Sequence, residues 1–174
     1  MTRITSKVCV VGDFAVGKTS VVERFVTNHF SEEYLSTVGV KIDTKEIEQP
    51  AFDVTHKLVV WDVAGSDRFG DREFAYLRGA SGYIFVADGT RPLTIEAVHT
   101  IRSQIDEKFG VTPSVLLVNK RDLVAEWEVN DERFESLSAS FGSAFKTSAK
   151  TGDDVNDAFV RLAQLIVENE MRGK

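Results

Sequence analysis

The sequence predicts an α/β domain built on a mainly parallel sheet. Two observations carry this. Short apolar runs of strand length alternate with stretches of helical period roughly 10 to 15 residues long, the pattern of βαβ units. Only one adjacent pair of runs lies too close together to hold a crossover helix, so that pair is expected to be an antiparallel hairpin at one sheet edge. At 174 residues the chain is expected to form a single domain over residues 1–174 and to bury a core without stapling.

In chain order, "KVCVV" reads as the first strand and Thr19 to Thr27 as a helix. The runs "VGVKIDTKEI" and "HKLVVWDV", joined through Pro50, form the expected hairpin. Next come a strand at "GYIFVAD", a helix from about Thr94 to Phe109, and a strand at "SVLLVNK". A helix near Asp131 to Phe141, a short strand at "AFKTS" and a last helix from about Val155 complete the series. The last helix is the clearest amphipath, with Val155, Phe159, Leu162 and Ile166 at i, i+4, i+7 and i+11, a stripe that faces a core. There is no internal repeat, linker or low-complexity segment.

Composition excludes several classes. With 21 basic and 27 acidic residues the net charge is −6, and neither sign forms a long run, so no nucleic-acid partner is expected. The start "MTRITSK" lacks the apolar core of a secretory signal and has Thr2 where myristoylation needs glycine. No apolar run approaches the roughly 18 residues of a membrane span. The chain is therefore expected to be soluble and cytoplasmic. It ends "ENEMRGK" without a terminal cysteine, so membrane association is expected only through a lipidated tail absent from this chain. Cys9, inside "VCVV", reads as a core residue of a reduced, intracellular protein. His29, His56 and His99 have no metal spacing and read as surface or packing residues, and Trp127 as local packing.

Four motifs carry chemistry. After the first strand, "GDFAVGKT", Gly12 to Thr19, has the GxxxxGK[ST] spacing of a phosphate-binding loop. Gly12 and Gly17 let the chain wrap with its N–H groups inward, Lys18 reaches β- and γ-phosphates, and Thr19 offers a hydroxyl to Mg²⁺. The second is "DVAG": Asp62 leaves a buried strand and Gly65 allows close backbone approach, which suits phosphate and metal. The third, "VNKRDL", places Asn119, Lys120 and Asp122 in the pattern NKxD. A carboxylate there accepts from the ring N–H and exocyclic amine of guanine, a donor pair that adenine lacks. "TSAK", Thr147 to Lys150, follows the next strand and offers a backbone N–H to the guanine oxygen.

With these motifs the chain resembles a small GTPase of the Ras superfamily over essentially its whole length, and "KLVVWDVAGSDRF" and "YLRGA" look most like the Rab branch. The resemblance implies a P-loop G domain with a six-stranded, mostly parallel sheet, one antiparallel edge strand and five flanking helices. It implies GTP or GDP held by Ala15, Val16, Gly17, Lys18, Thr19, Ser20, Phe30, Tyr34, Thr37, Gly65, Asn119, Lys120, Asp122, Ser148, Ala149 and Lys150. Phe30 would pack edge-on against guanine, and Tyr34 would close over the phosphates. Mg²⁺ would be held by Thr19, by Thr37 only when a γ-phosphate is present, and by Asp62 through water. Two switch loops follow, Glu32 to Val40 and Gly65 to about Leu77, ordered by GTP and released on hydrolysis. Effector, exchange-factor and GTPase-activating proteins would bind through them, the chain itself being a monomer.

The departures bear on catalysis, for which Gly65 and Ser66 are the candidate residues. Where the family pattern reads Asp-Thr-Ala-Gly-Gln, this chain reads Asp62-Val63-Ala64-Gly65-Ser66, so serine replaces the water-orienting glutamine and its hydroxyl is too short to copy the amide. Phe14 stands where Ras has glycine, and its ring could crowd a partner's arginine finger; Arg68 and Arg72 could serve in cis. Ile42, Trp61 and Tyr76 occupy the positions of an aromatic patch that Rab partners read. The expectation is a GTP-binding switch with slow intrinsic hydrolysis. The alternative is a constitutively GTP-loaded binding module with negligible turnover. A small-molecule kinase on the same phosphate loop would leave NKxD unexplained.

Overall fold

The computed structural model describes residues 1–31, 39–65 and 69–173. Strand β1 (Thr2–Gly12) runs through the middle of a six-stranded sheet with β2 (Val40–Gln49), β3 (Val54–Val63), β4 (Gly82–Asp88), β5 (Ser114–Asn119) and β6 (Ala144–Lys146), in the order β2-β3-β1-β4-β5-β6. Every pairing is parallel except β2 with β3. The expected hairpin is therefore present, turned by Pro50–Phe52 in a single 3₁₀ turn. Its outer strand β2 alternates exposed and half-buried residues, as a strand with one face in water does, whereas β4 is buried along its length.

Five helices flank the sheet: α1 (Lys18–Thr27), α2 (Asp71–Leu77), α3 (Leu93–Phe109), α4 (Asp131–Phe141) and α5 (Val155–Arg172). Local chemistry marks their ends. Asn130 caps α4 by accepting from the Arg133 N–H at 2.7 Å, with Asp131 and Glu132 in the first turn. At the start of α2, Glu73 Oε2 accepts from the Gly70 N–H at 3.0 Å.

Because side chains alternate across a strand, the core divides between the two sheet faces. Val8 and Val10 of β1, Ile84 and Val86 of β4 and Val115 and Leu117 of β5 pack against α1 and α5. Cys9, Val11, Tyr83, Phe85, Leu116 and Val118 pack on the other side with residues of α2, α3 and α4. The apolar stripe of α5 is buried as expected: Val155, Phe159 and Leu162 are fully enclosed and Ile166 nearly so. Phe159 stacks on Phe25 of α1 with ring centroids 3.9 Å apart, a contact worth about 1 kcal/mol beyond the area it buries. Cys9 is fully buried, and burial pushes its thiol up to about 12, which keeps it protonated and inert.

His56 is packing of a particular kind. It is fully buried, with Nδ1 2.8 Å from Gln49 Oε1 and Nε2 2.7 Å from Ser6 Oγ, so three strands share one polar cluster. Trp127 packs over Gly89 and donates through Nε1 to Val129 O at 2.7 Å. Among the described residues no helix is long and apolar enough to cross a membrane.

Candidate functional site

The segments that follow β1, β3, β5 and β6 meet at the carboxyl ends of the strands, where the strand order reverses beside β1. They line a cavity of about 610 Å³ that holds Ala15, Gly17, Lys18, Thr19, Ser20, Phe30, Gly65, Asn119, Lys120, Asp122, Ala149 and Lys150. Three of the expected residues, Val16, Asp62 and Ser148, sit behind that lining. The Val16 side chain is in the core, and Ser148 reaches the site through Asp122, donating from Oγ to Oδ1 at 2.8 Å. Tyr34, Thr37, Ser66 and Arg68 lie outside the described residues, as does most of the first expected switch.

The phosphate loop ends at Gly17, whose φ of +100° only glycine adopts cheaply, and α1 begins at the next residue. A Cβ at Gly17 would also strike Asn119 Nδ2. Asn119 acts as a brace: its Nδ2 donates to Val16 O at 3.0 Å, and its Oδ1 accepts from Thr147 Oγ1 at 3.1 Å, tying three of the loops together. Lys120 donates to Ala15 O at 2.9 Å and pairs with Asp88 Oδ2 at 2.9 Å. Lys18 is buried and donates to Asp13 O at 3.0 Å. Burial draws its ammonium down to about 8 against the opposing pull of Asp62 and Asp13.

Thr19 Oγ1 donates to Asp62 Oδ2 at 2.6 Å, and Asp62 is fully buried. A hydroxyl and a carboxylate are hard oxygen donors, and Mg²⁺ characteristically takes one or two such groups together with phosphate oxygens and water, so these residues fit that ion. Gly65 brings the segment after β3 onto the phosphate loop: a Cβ there would lie 2.7 Å from Lys18 Nζ and 2.8 Å from Phe14 N. The Phe14 ring, 47 % exposed, stands at the cavity rim.

Three residues of the site go unmentioned by the motifs. Asp88, at the end of β4, accepts from the Thr90 N–H and hydroxyl at 2.8 and 2.6 Å and pairs with both Lys120 and Arg91. Burial, the largest single influence, pushes its carboxyl up, but the donated hydrogen bonds together hold it below its ordinary value. Arg91 continues to Phe14 O at 2.9 Å. One buried carboxylate thus anchors two cations that hold two successive carbonyls of the phosphate loop. The signal that marks Asp62, a carboxylate ending a buried strand, is equally present at Asp88. Arg24 of α1 binds the carbonyls of Ala149 and Lys150, and no spacing announces it.

Away from the cavity, Ile42 and Trp61 face each other across the β2–β3 pairing. Ile42 is exposed, Trp61 is half-buried beneath Lys7 Nζ at 3.7 Å, and Tyr76 packs in the same cluster as Trp61.

A family model described as "Ras family" matches residues 7–168. Among curated relatives, the Ras-related protein Rab-32A of Dictyostelium discoideum is 38% identical over 176 residues, covering 95% of this chain and 80% of the relative. Ras-related protein Rab-13 of Mesocricetus auratus is 38% identical over 165 residues, 92% of this chain and 79% of its own. Ras-related protein Rab-7L1 of Homo sapiens is 34% identical over 170 residues, 94% and 83%. With a cavity of this construction and a family match over most of its length, the chain belongs to the Ras superfamily of small GTPases, close to the Rab branch.

Proposed function

We propose that this chain is a guanine-nucleotide switch that hydrolyses GTP slowly and signals through the segments following α1 and β3. The observation that carries the reading is convergence: the phosphate loop, the NKxD residues and the Ala149–Lys150 segment line one cavity, and Asp62 accepts from its lining residue Thr19. In the bound complex, Lys18 and the N–H groups at the start of α1 would take the β- and γ-phosphates. Asp122, oriented by Ser148, would accept from the guanine N1–H and N2–H₂, while the N–H groups of Ala149 and Lys150 would face the exocyclic oxygen. Phe30 would border the base. Thr19 and Asp62 would hold Mg²⁺, which supplies charge neutralisation at the phosphates. The expected partners are effector, exchange and activating proteins, and Ile42, Trp61 and Tyr76 offer them an apolar surface.

A second reading, a GTP-loaded module with negligible turnover, draws on Ser66 and on the Phe14 ring at the rim. Competition binding and single-turnover hydrolysis test both. GDP and GTP should displace a fluorescent guanine nucleotide while ADP and ATP do not, and loaded GTP should decay slowly but measurably. Equal competition by ATP would overturn the guanine assignment. Intact GTP after many hours would select the second reading.

A further inference from the structure

Arg24 lies in the last turn of α1, at the end away from the phosphate loop, and nothing in the motifs gives it a task. Its guanidinium is nonetheless committed to backbone. Nε donates to Ala149 O at 2.9 Å, Nη2 to Lys150 O at 2.6 Å, and Nη1 to Asn28 O at 3.0 Å and to Asn28 Oδ1 at 3.3 Å. The stem passes against Gly152, where an added Cβ would sit 3.5 Å from Arg24 Cδ. The fork therefore joins the end of the helix that starts at Lys18 to the segment that follows β6.

The geometry points to Arg24 as a positioning residue for guanine recognition, acting through the peptide between Ala149 and Lys150. A trans peptide is planar, so its N–H points opposite to its C=O. Holding Ala149 O on the Arg24 side turns the Lys150 N–H away from the guanidinium. The preceding peptide is fixed in a similar way, because Ser148 O accepts from the Gly152 N–H at 2.8 Å, which sets the direction of the Ala149 N–H. Two consecutive amides are thus oriented by bonds to their carbonyls. A planar fork suits this task, because its N–H groups lie at fixed angles to one another, whereas a lysine ammonium would hold one carbonyl at a time. Since α1 also carries Lys18 and Thr19, the same arginine sets the distance between the phosphate end and the base end of the site.

This inference rests on the guanine reading above, and the experiment separates the two. Dissociation constants are measured for GDP, IDP and 6-thio-GDP with wild type, Arg24→Ala and Arg24→Lys. IDP lacks the 2-amino group but keeps the oxygen, whereas 6-thio-GDP replaces the oxygen with a weak acceptor. Arg24→Ala is expected to weaken GDP and IDP by the same factor, about tenfold for the loss of one well-placed hydrogen bond, and 6-thio-GDP by much less. Arg24→Lys should move in the same direction to a smaller extent, and it carries the test should the alanine variant not fold. Equal weakening of all three nucleotides, or no change in any, would overturn the proposal, because a merely structural role does not distinguish oxygen from sulfur. Equal wild-type affinity for GDP and 6-thio-GDP would also overturn the proposal, whereas failure of wild type to prefer GDP over ADP would instead overturn the guanine reading itself.

Discussion

On the proposed guanine reading, Asp122 would concentrate the choice of base in one carboxylate, one of whose oxygens Ser148 holds at 2.8 Å. Asp122→Asn replaces an acceptor by a group that also donates, so GTP and GDP should weaken and xanthine nucleotides, which carry an extra oxygen, should bind. Competition between GTP and XTP reads this directly; if GTP still wins in the variant, Asp122 does not read the base. Asp88 works at the same scale by a different principle. It is not itself part of the cavity lining, yet Lys120 and Arg91 both pair with it. Asp88→Ala leaves two cations without their shared anion and should cost on the order of 2–3 kcal/mol of stability, Arg91 and Lys120 being partly solvated and so contributing less than fully buried partners. Denaturant titration measures that loss, and faster GDP release should accompany it. Unchanged release would mean that the bonds to Ala15 O and Phe14 O survive without the carboxylate.

Across elements, the His56 cluster ties β1, β2 and β3 together at the end of the sheet away from the cavity. Burial holds the imidazole below its ordinary value of about 6.5, so the folded state binds the proton less readily than the unfolded state does. The stabilisation is whole above that value and is lost as the pH falls through the folded one. Thermal melts at pH 7.5 and 5.5 should show a larger acid loss for wild type than for His56→Gln, and equal losses would remove His56 from the account of acid sensitivity.

The hairpin and the α5 stripe are legible in the sequence because each follows from local spacing: too few residues for a crossover in one case, a repeat of three and four in the other. The helix α2 is not, because seven residues are too few for a period to declare itself. The phosphate loop, NKxD and TSAK are legible as motifs, and the structure gathers their described residues. Arg24 and Ala149 stand 125 positions apart, and their bond arises from the packing of α1 beside α5, of which spacing holds no record.

For the whole molecule, the slow hydrolysis we propose is tied to Ser66, the serine that departs from the family pattern. Ser66→Gln supplies an amide long enough to orient water and should speed single-turnover hydrolysis by about an order of magnitude, ~1.4 kcal/mol in the barrier. Where the Phe14 ring denies that side chain its place, the gain should appear only with Phe14→Gly added. Wild type hydrolysing as fast as both variants would show that another group orients the water, and Arg72, exposed on α2, becomes the residue to test.

The division of the core by the sheet has its own consequence. The helix bearing Lys18 and Thr19, and the one following the base segment, rest on one face, while α2 and the Trp61–Tyr76 surface belong to the other. Between them stands a single sheet of hydrogen-bonded backbone. That layer works as a bulkhead: the outward surface proposed for partners can be reshaped, in evolution or in a bound complex, without flooding the compartment around the cavity.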